Sequence, residues 1–159
     1  MNEIQKPNPL LKADVIEQLP EQKFSHPFNP NSEISGVSLS EAVGLQRVGF
    51  HLAKISPGKE SFIYHSHEFE EEFIYILSGK GIAEIDDREF EIESGDFMGF
   101  PTPSVAHHLR NPFEEDLIYI MGGERREYEI ADFPHIQKRM FRNGKKIQIA
   151  EYDNLKPFM

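Results

Sequence analysis

Hydrophobic and polar positions alternate in short runs from residue 45 onward. These runs cover residues 45–55, 62–67, 72–77, 82–85, 89–92, 97–100, 106–110 and 117–121. Turn-forming residues separate them, for example Ser-Pro-Gly after residue 55, Gly-Lys-Gly after residue 78 and Asp-Asp after residue 85. Short strands that recur about every eight to twelve residues with turns between them are typical of an antiparallel sandwich or barrel. We therefore predict an all-β domain over residues 45–122.

The segments on either side of this domain lack the alternation. Residues 1–44 carry prolines at positions 7, 9, 20, 27 and 30. They predict an irregular N-terminal arm wrapped over the domain, with a short strand or helical turn at 14–19 and one helical turn at 40–43. Residues 123–159 predict a C-terminal extension that packs on the barrel or on a partner subunit, with one edge strand at 146–150.

The composition of the chain excludes or disfavours several classes of function. The 159 residues suffice for one domain with a real core, and the formal net charge of −10 disfavours binding to a nucleic-acid backbone or an anionic membrane. No apolar run approaches the length of a membrane span, and the first ten residues lack the order of a secretory signal. There is no cysteine, so disulfides, thiolate nucleophiles and sulfur ligands are excluded. We expect a cytoplasmic protein.

Histidines and acidic residues cluster at two points of the predicted barrel. His65 and His67 flank one serine, and the acidic run 68–72 follows them; a second pair, His107 and His108, lies forty residues after His67. Side chains two apart on a strand share a face, so His65 and His67 should lie side by side. Together with a third imidazole and a carboxylate they would form a site for a first-row transition metal. The alternative is a pair of solvent-facing strand histidines.

The order of these residues resembles the two sequence motifs of the cupin superfamily. The residues that carry the resemblance are Gly58, His65, His67, Glu72 and Gly79 in the first motif, and Gly95, Pro101, His107 and Asn111 in the second. The resemblance covers residues 58–111. Three departures stand out: Gly58 is one residue early, Pro103 replaces a glycine, and one extra residue precedes His107. The last two alter a turn but keep the spacing between His107 and Asn111.

The resemblance implies a single-domain jelly-roll barrel, or double-stranded β-helix, with metal ligands at His65, His67, Glu72 and His107. One divalent transition metal is expected as cofactor, namely Fe, Mn, Ni, Co, Cu or Zn. Neutral imidazoles and one carboxylate suit these ions and leave positions open for water or substrate, and the lack of thiolates disfavours a structural zinc site.

Alternation along the strands also predicts which way the neighbouring side chains point. Glu71 and Glu72 must point to opposite faces, and the spacing to the following glycine turn favours Glu72 as the inward residue. Glu68 and Glu70 are expected to be solvated charges on the rim. By the same alternation, His108 should face away from its neighbour and pack outside the barrel or at an interface.

Two further residues are expected to take no part in metal binding. His51 matches no motif position, and we do not expect it to face the cavity. Asn111 is expected to fix its own turn, because Asn-Pro is a turn signal.

The resemblance to short, stand-alone cupins implies a protein that acts on or binds a small polar metabolite, with a sugar-phosphate isomerase-like activity as the leading hypothesis. An Fe(II)-dependent dioxygenase and a non-catalytic binding or regulatory cupin are the alternatives, since one fold hosts many activities. Arg47 and Arg110 could pair with an anionic substrate, although surface salt bridges are the usual role of such arginines. A homodimer is also expected, with Phe24 and Phe28 of the arm lying across the partner.

Overall fold

The computed structural model describes residues 7–159, and this part of the chain is built mainly from strands. The strands are β1 (Gln22–Phe24), β2 (Ile34–Ser38), β3 (Val48–Ile55), β4 (Ser66–His67), β5 (Glu72–Ser78), β6 (Lys80–Ile85), β7 (Arg88–Glu93), β8 (Phe97–Phe100), β9 (His107–Arg110), β10 (Leu117–Glu124), β11 (Tyr128–Phe133), β12 (Lys138–Asn143) and β13 (Lys146–Glu151). Two short helices, α1 (Ala13–Glu17) and α2 (Leu39–Ala42), precede β3, and 3-10 turns occupy Pro134–Ile136 and Tyr152–Asn154. Among the helices of residues 7–159, none has the length and apolar character needed to cross a membrane.

The strands form two facing layers of antiparallel sheet. One layer is the six-stranded sheet β1-β2-β3-β10-β5-β8. The other contains the sheets β13-β12-β11-β4 and β7-β6-β9, which meet where His65 pairs with His107. The main core lies between the layers and includes Ile55 and Ile76 from the first and Ala83 and Leu109 from the second. The all-β jelly-roll barrel predicted from the sequence is confirmed.

Local sequence explains why the strands have this register. In β5, Ile74 and Ile76 point into the core, whereas Tyr75 and Leu77 are exposed, as alternation along a strand requires. The chain then reverses between β6 and β7 at Asp86-Asp87, where both residues have positive φ (50° and 62°). A two-residue turn with positive φ at both positions matches the twist of an antiparallel hairpin.

The flanking segments contribute more sheet than the sequence predicted. The N-terminal arm adds β1 and β2 to the edge of the six-stranded sheet, where β2 pairs with β3. The C-terminal extension forms the three-stranded meander β11-β12-β13. Within it, β11 pairs directly with β4, so that Ala131 lies opposite His67. The extension therefore forms part of the wall that carries the first two histidines.

Candidate metal centre

His65, His67, Glu72 and His107 lie together inside the barrel, around one oxygen atom. The Nε2 atoms of His107, His67 and His65 are 3.0, 3.3 and 3.8 Å from Oε2 of Glu72. His65 and His107 face each other across two strands: each backbone amide donates to the carbonyl of the other residue. His67 is two residues further along the same extended segment, and Glu72 opens β5 in the opposite layer.

The outer nitrogens of two of these rings are held by backbone carbonyls. Nδ1 of His65 lies 2.6 Å from the carbonyl oxygen of Ile63, and Nδ1 of His107 lies 3.4 Å from that of Val105. A carbonyl oxygen can only accept, so Nδ1 of each of these two rings carries a proton. Nε2 of each ring then either donates a second proton to the Glu72 carboxylate or offers its lone pair to a metal. Three imidazole nitrogens around one carboxylate are a ligand set that fits a divalent transition metal.

The environment fixes the charges of Glu72 and His107 in the metal-free protein. Burial raises the pKa of Glu72, but hydrogen bonds to His107, His65 and His67 outweigh it and hold this pKa well below its usual value. Burial also lowers the pKa of His107, more than its hydrogen bond to Glu72 raises it. Phe100 stacks on the His107 ring with centroids 3.7 Å apart and seals it from solvent. Burial and the packing of Phe100 therefore favour the neutral form of His107.

His67 has a more acidic environment. Burial lowers its pKa, but the carboxylates of Glu72, Glu129 and Glu70 together raise it above the usual value. Ser104 fixes its backbone, because Ser104 Oγ accepts from the His67 amide and the Ser104 amide donates to the His67 carbonyl, both at 2.8 Å.

Glu72, and not Glu71, joins the three histidines. Glu71 is exposed at the rim, and its amide donates to the carboxylate of Glu124. His108 points away from the site and lies 3.2 Å from the carbonyl oxygen of Ser61. These placements follow from alternation along the strands.

Asn111 closes the turn after β9. Its side-chain amide donates to the carbonyls of Ile55 and Glu115, and its Oδ1 accepts from the Phe113 amide. The sequence predicted this role.

Two expectations from the sequence are wrong. Glu70 is not a solvated rim charge: it is 8% exposed, accepts from the Arg126 amide and pairs with Arg142 of the C-terminal extension. His51 does face the cavity beside the site, because β3 places it on the same face as the buried residues Ala53 and Ile55.

Glu129 is a residue near the site that the sequence reasoning missed. It is 1% exposed, and its Oε2 lies 3.6 Å from Nδ1 of His67. The sequence carries no clear signal for it, because residues 128–133 (Tyr-Glu-Ile-Ala-Asp-Phe) do not alternate between apolar and polar positions.

A cavity of about 140 Å³ opens beside the four residues, next to a wider groove of about 450 Å³ that shares Glu71 and Glu72 with it. Among the described residues that line the smaller cavity, Arg125 is the one arginine or lysine. Its guanidinium Nη2 lies 3.4 Å from Nε2 of His51. Gly49 makes room for it, since a Cβ there would lie 3.1 Å from Arg125 Nε. Burial and the positive charge of Arg125 lower the pKa of His51, which favours its neutral form.

Arg47 and Arg110, which the sequence suggested as partners for an anionic substrate, make other contacts. Arg110 forms a surface salt bridge with Glu89 at 2.5 Å, and the backbone carbonyl of Arg47 accepts from the Arg125 amide. Neither Arg47 nor Arg110 lines the smaller cavity.

Comparisons with known proteins agree with this geometry. The family model described as a cupin domain matches residues 51–123. A curated protein of Methanocaldococcus jannaschii, named only as uncharacterized, is 35% identical over 57 residues, which cover 36% of this chain and 45% of that protein. The chain thus matches less than half the length of that relative.

Solved structures extend the similarity to nearly the whole chain. A crystal structure from Acidithiobacillus ferrooxidans, named as a candidate sugar phosphate isomerase, is 36% identical with a TM-score of 0.92, and the match covers 94% of this chain and 96% of that one. A cupin-superfamily sugar phosphate isomerase from Silicibacter pomeroyi is 23% identical with a TM-score of 0.72, covering 76% and 78% of the two chains. A predicted oxalate decarboxylase from Thermotoga maritima, also 23% identical, has a TM-score of 0.60 and covers 69% and 96%. The last two show the fold alone. With both motifs, the barrel and the match to the Acidithiobacillus protein in place, the chain belongs to the cupin superfamily.

Proposed function

We propose that this protein is a metal-dependent enzyme that binds one divalent transition metal through His65, His67, Glu72 and His107 and isomerises a small phosphorylated sugar. The observation that carries the proposal is the convergence of three imidazole Nε2 atoms within 3.0–3.8 Å of one carboxylate oxygen. When bound, such a metal polarises a substrate carbonyl and stabilises the negative charge that develops on it. The name of the Acidithiobacillus relative supports the reaction class.

Arg125 and His51 supply the substrate-binding side of the proposed site. The guanidinium of Arg125 is a planar fork of donors that suits a phosphate group, and it lies in the cavity that also exposes His67 and Glu72. His51 is neutral and accepts from Arg125 through Nε2, so its Nδ1–H can donate to a substrate oxygen. The carboxylates of Glu71 and Glu124 at the same rim would repel a second anionic group. A substrate with a single phosphate and several hydroxyl groups fits this charge pattern.

Metal analysis of the purified protein tests the ligand set. We expect about one transition-metal ion per chain, and its loss in the His65→Ala, His67→Ala double variant. His108→Ala is the matched control, because it removes an imidazole adjacent to the site that points elsewhere, and it should retain the metal. Unchanged metal content in the double variant contradicts the ligand assignment.

The reaction is tested with the metal-loaded protein on a panel of phosphorylated aldoses and ketoses. The proposal is supported if the protein interconverts an aldose phosphate and its ketose. Arg125→Gln should then raise KM at least tenfold. Substrate-dependent O₂ uptake by the Fe(II)-loaded protein would instead identify a dioxygenase. A ligand-induced rise in melting temperature with no product would identify a binding module.

We further propose that two chains pair through the outer face of the six-stranded sheet. Large apolar side chains are exposed there at Val48, Tyr75, Leu77 and Phe97, the last with 65% of its surface accessible. Contiguous exposed apolar surface of this kind marks protein–protein contacts. Light scattering at micromolar concentration should give the mass of a dimer, and Phe97→Glu should reduce it to that of a monomer. Phe90→Glu, on the opposite layer, is the control. A monomeric wild-type protein contradicts this pairing.

A further inference from the structure

The carboxylate of Glu129 is held rigidly behind His67, on the side of the ring away from Glu72. Its Oε1 accepts from the amides of Glu68, Phe69 and Ile130, and its Oε2 accepts from the amide of Glu70 at 2.7 Å. Four backbone donors on a carboxylate that is 1% exposed fix both oxygens in place. Oε2 retains a lone pair and lies 3.6 Å from His67 Nδ1.

His67 needs an acceptor that its own strand does not provide. In His65 and His107, Nδ1 lies against the carbonyl two residues earlier, that of Ile63 and Val105 respectively. The corresponding carbonyl for His67 is that of His65, and it already accepts from the His107 amide at 2.8 Å. Within residues 7–159, Nδ1 of His67 is a buried nitrogen without a hydrogen-bond partner inside normal distance. Glu129 Oε2 faces this nitrogen.

We infer that Glu129 is the positioning residue for His67: it keeps the ring proton on Nδ1, so that the Nε2 lone pair faces Glu72 and the metal. The inference rests on the proposed metal function and goes beyond it, because it makes the C-terminal extension a part of the metal centre. A carboxylate behind a ligating imidazole fixes its tautomer and raises its basicity more than a neutral carbonyl does.

The ring tautomer can be measured without any metal. In metal-free Glu72→Ala protein at pH 9, which lacks the carboxylate 3.3 Å from Nε2 that would hold a proton there, nitrogen-15 NMR of the imidazoles should show His67 with its proton on Nδ1. Glu129→Gln and Glu127→Gln are then added to this background. Glu129→Gln keeps the size of the side chain but turns an amide donor towards Nδ1, so the proton should move to Nε2. Glu127→Gln, an exposed carboxylate close in sequence, should leave the tautomer unchanged.

Metal affinity gives the second readout. Titration with Co²⁺ against a competing chelator should show that Glu129→Gln weakens binding about 10–100-fold, the usual cost of losing such a partner, while Glu127→Gln binds like wild type. A Glu72→Ala protein with the His67 proton on Nε2 would overturn the inference. So would a folded Glu129→Gln variant with unchanged tautomer and affinity. The expected tautomer in Glu72→Ala, together with no Co²⁺ binding by the wild-type protein, would support the orientation of His67 and contradict the proposed metal function.

Discussion

The contacts of Asn111 allow an estimate of how much free energy of unfolding is lost when this motif residue is replaced. The Ile55 carbonyl that accepts from it belongs to a residue with no accessible surface, so Asn111→Ala removes a buried hydrogen bond at a cost of about 1.5 kcal/mol. The bonds to Glu115 and Phe113 lie in a turn that water can reach in part, and their loss adds roughly 0.5–1 kcal/mol each. We expect a total loss of about 3 kcal/mol. For a chain of this size, the melting temperature should fall by about 6–12 °C.

Urea unfolding followed by circular dichroism measures this loss, and a second substitution tests its cause. Asn111→Asp keeps the acceptor but turns a charged oxygen towards two carbonyls, so it should destabilise at least as much as alanine at pH 7 and less at pH 4. Asn154→Ala, at an exposed asparagine, is the control and should change stability by less than about 0.5 kcal/mol. A loss below about 1 kcal/mol for Asn111→Ala, or an aspartate variant as stable as wild type, would refute this use of the buried hydrogen bond.

Three further predictions concern the barrel and the site. Gly79 and Gly58 both have φ near +80°, but a Cβ at Gly79 would lie 2.1 Å from a backbone oxygen, whereas a Cβ at Gly58 would meet open space. In urea unfolding, Gly58→Ala should therefore lower the free energy of unfolding by roughly 1 kcal/mol, and Gly79→Ala should lower it by much more. In metal-free protein the lowered pKa of Glu72 stabilises the fold above pH 4.5, and this contribution is lost as the pH falls further. Glu72→Gln should thus flatten the acid-side decline in unfolding free energy, whereas Glu71→Gln should not. Phe100→Ala should destabilise the protein by about 3–5 kcal/mol and weaken Co²⁺ binding, because it removes the ring that packs on the third histidine.

Features that depend on local sequence were predicted well. Alternation within one extended segment is enough to put His65 and His67 on one face, and the spacing to the glycine turn is enough to choose Glu72 over Glu71. The Asp86-Asp87 hairpin likewise follows from adjacent residues.

Features that depend on distant segments were missed. Glu70 is buried because Arg142 reaches it from β12, 72 residues further along the chain. Glu129 reaches His67 because β11 pairs with β4, a contact that alternation within either strand does not specify. His51 was misjudged for another reason: it matches no motif, although the alternation of β3 already puts it on the inward face.

Residues that follow the two sequence motifs also bear on which reaction a cupin catalyses. The Acidithiobacillus and Thermotoga structures share the barrel with this chain, yet their names refer to different reactions. Barrel geometry alone therefore does not determine the reaction, and the residues that do must lie where a substrate touches the cavity. In this chain Arg125 follows β10, and Glu129, which stands behind His67, lies in β11. Both follow the second motif, which ends at Asn111. Substitutions at Arg125 should accordingly change which metabolite binds while leaving the metal in place, and substitutions at Glu129 should change the metal site without touching the substrate.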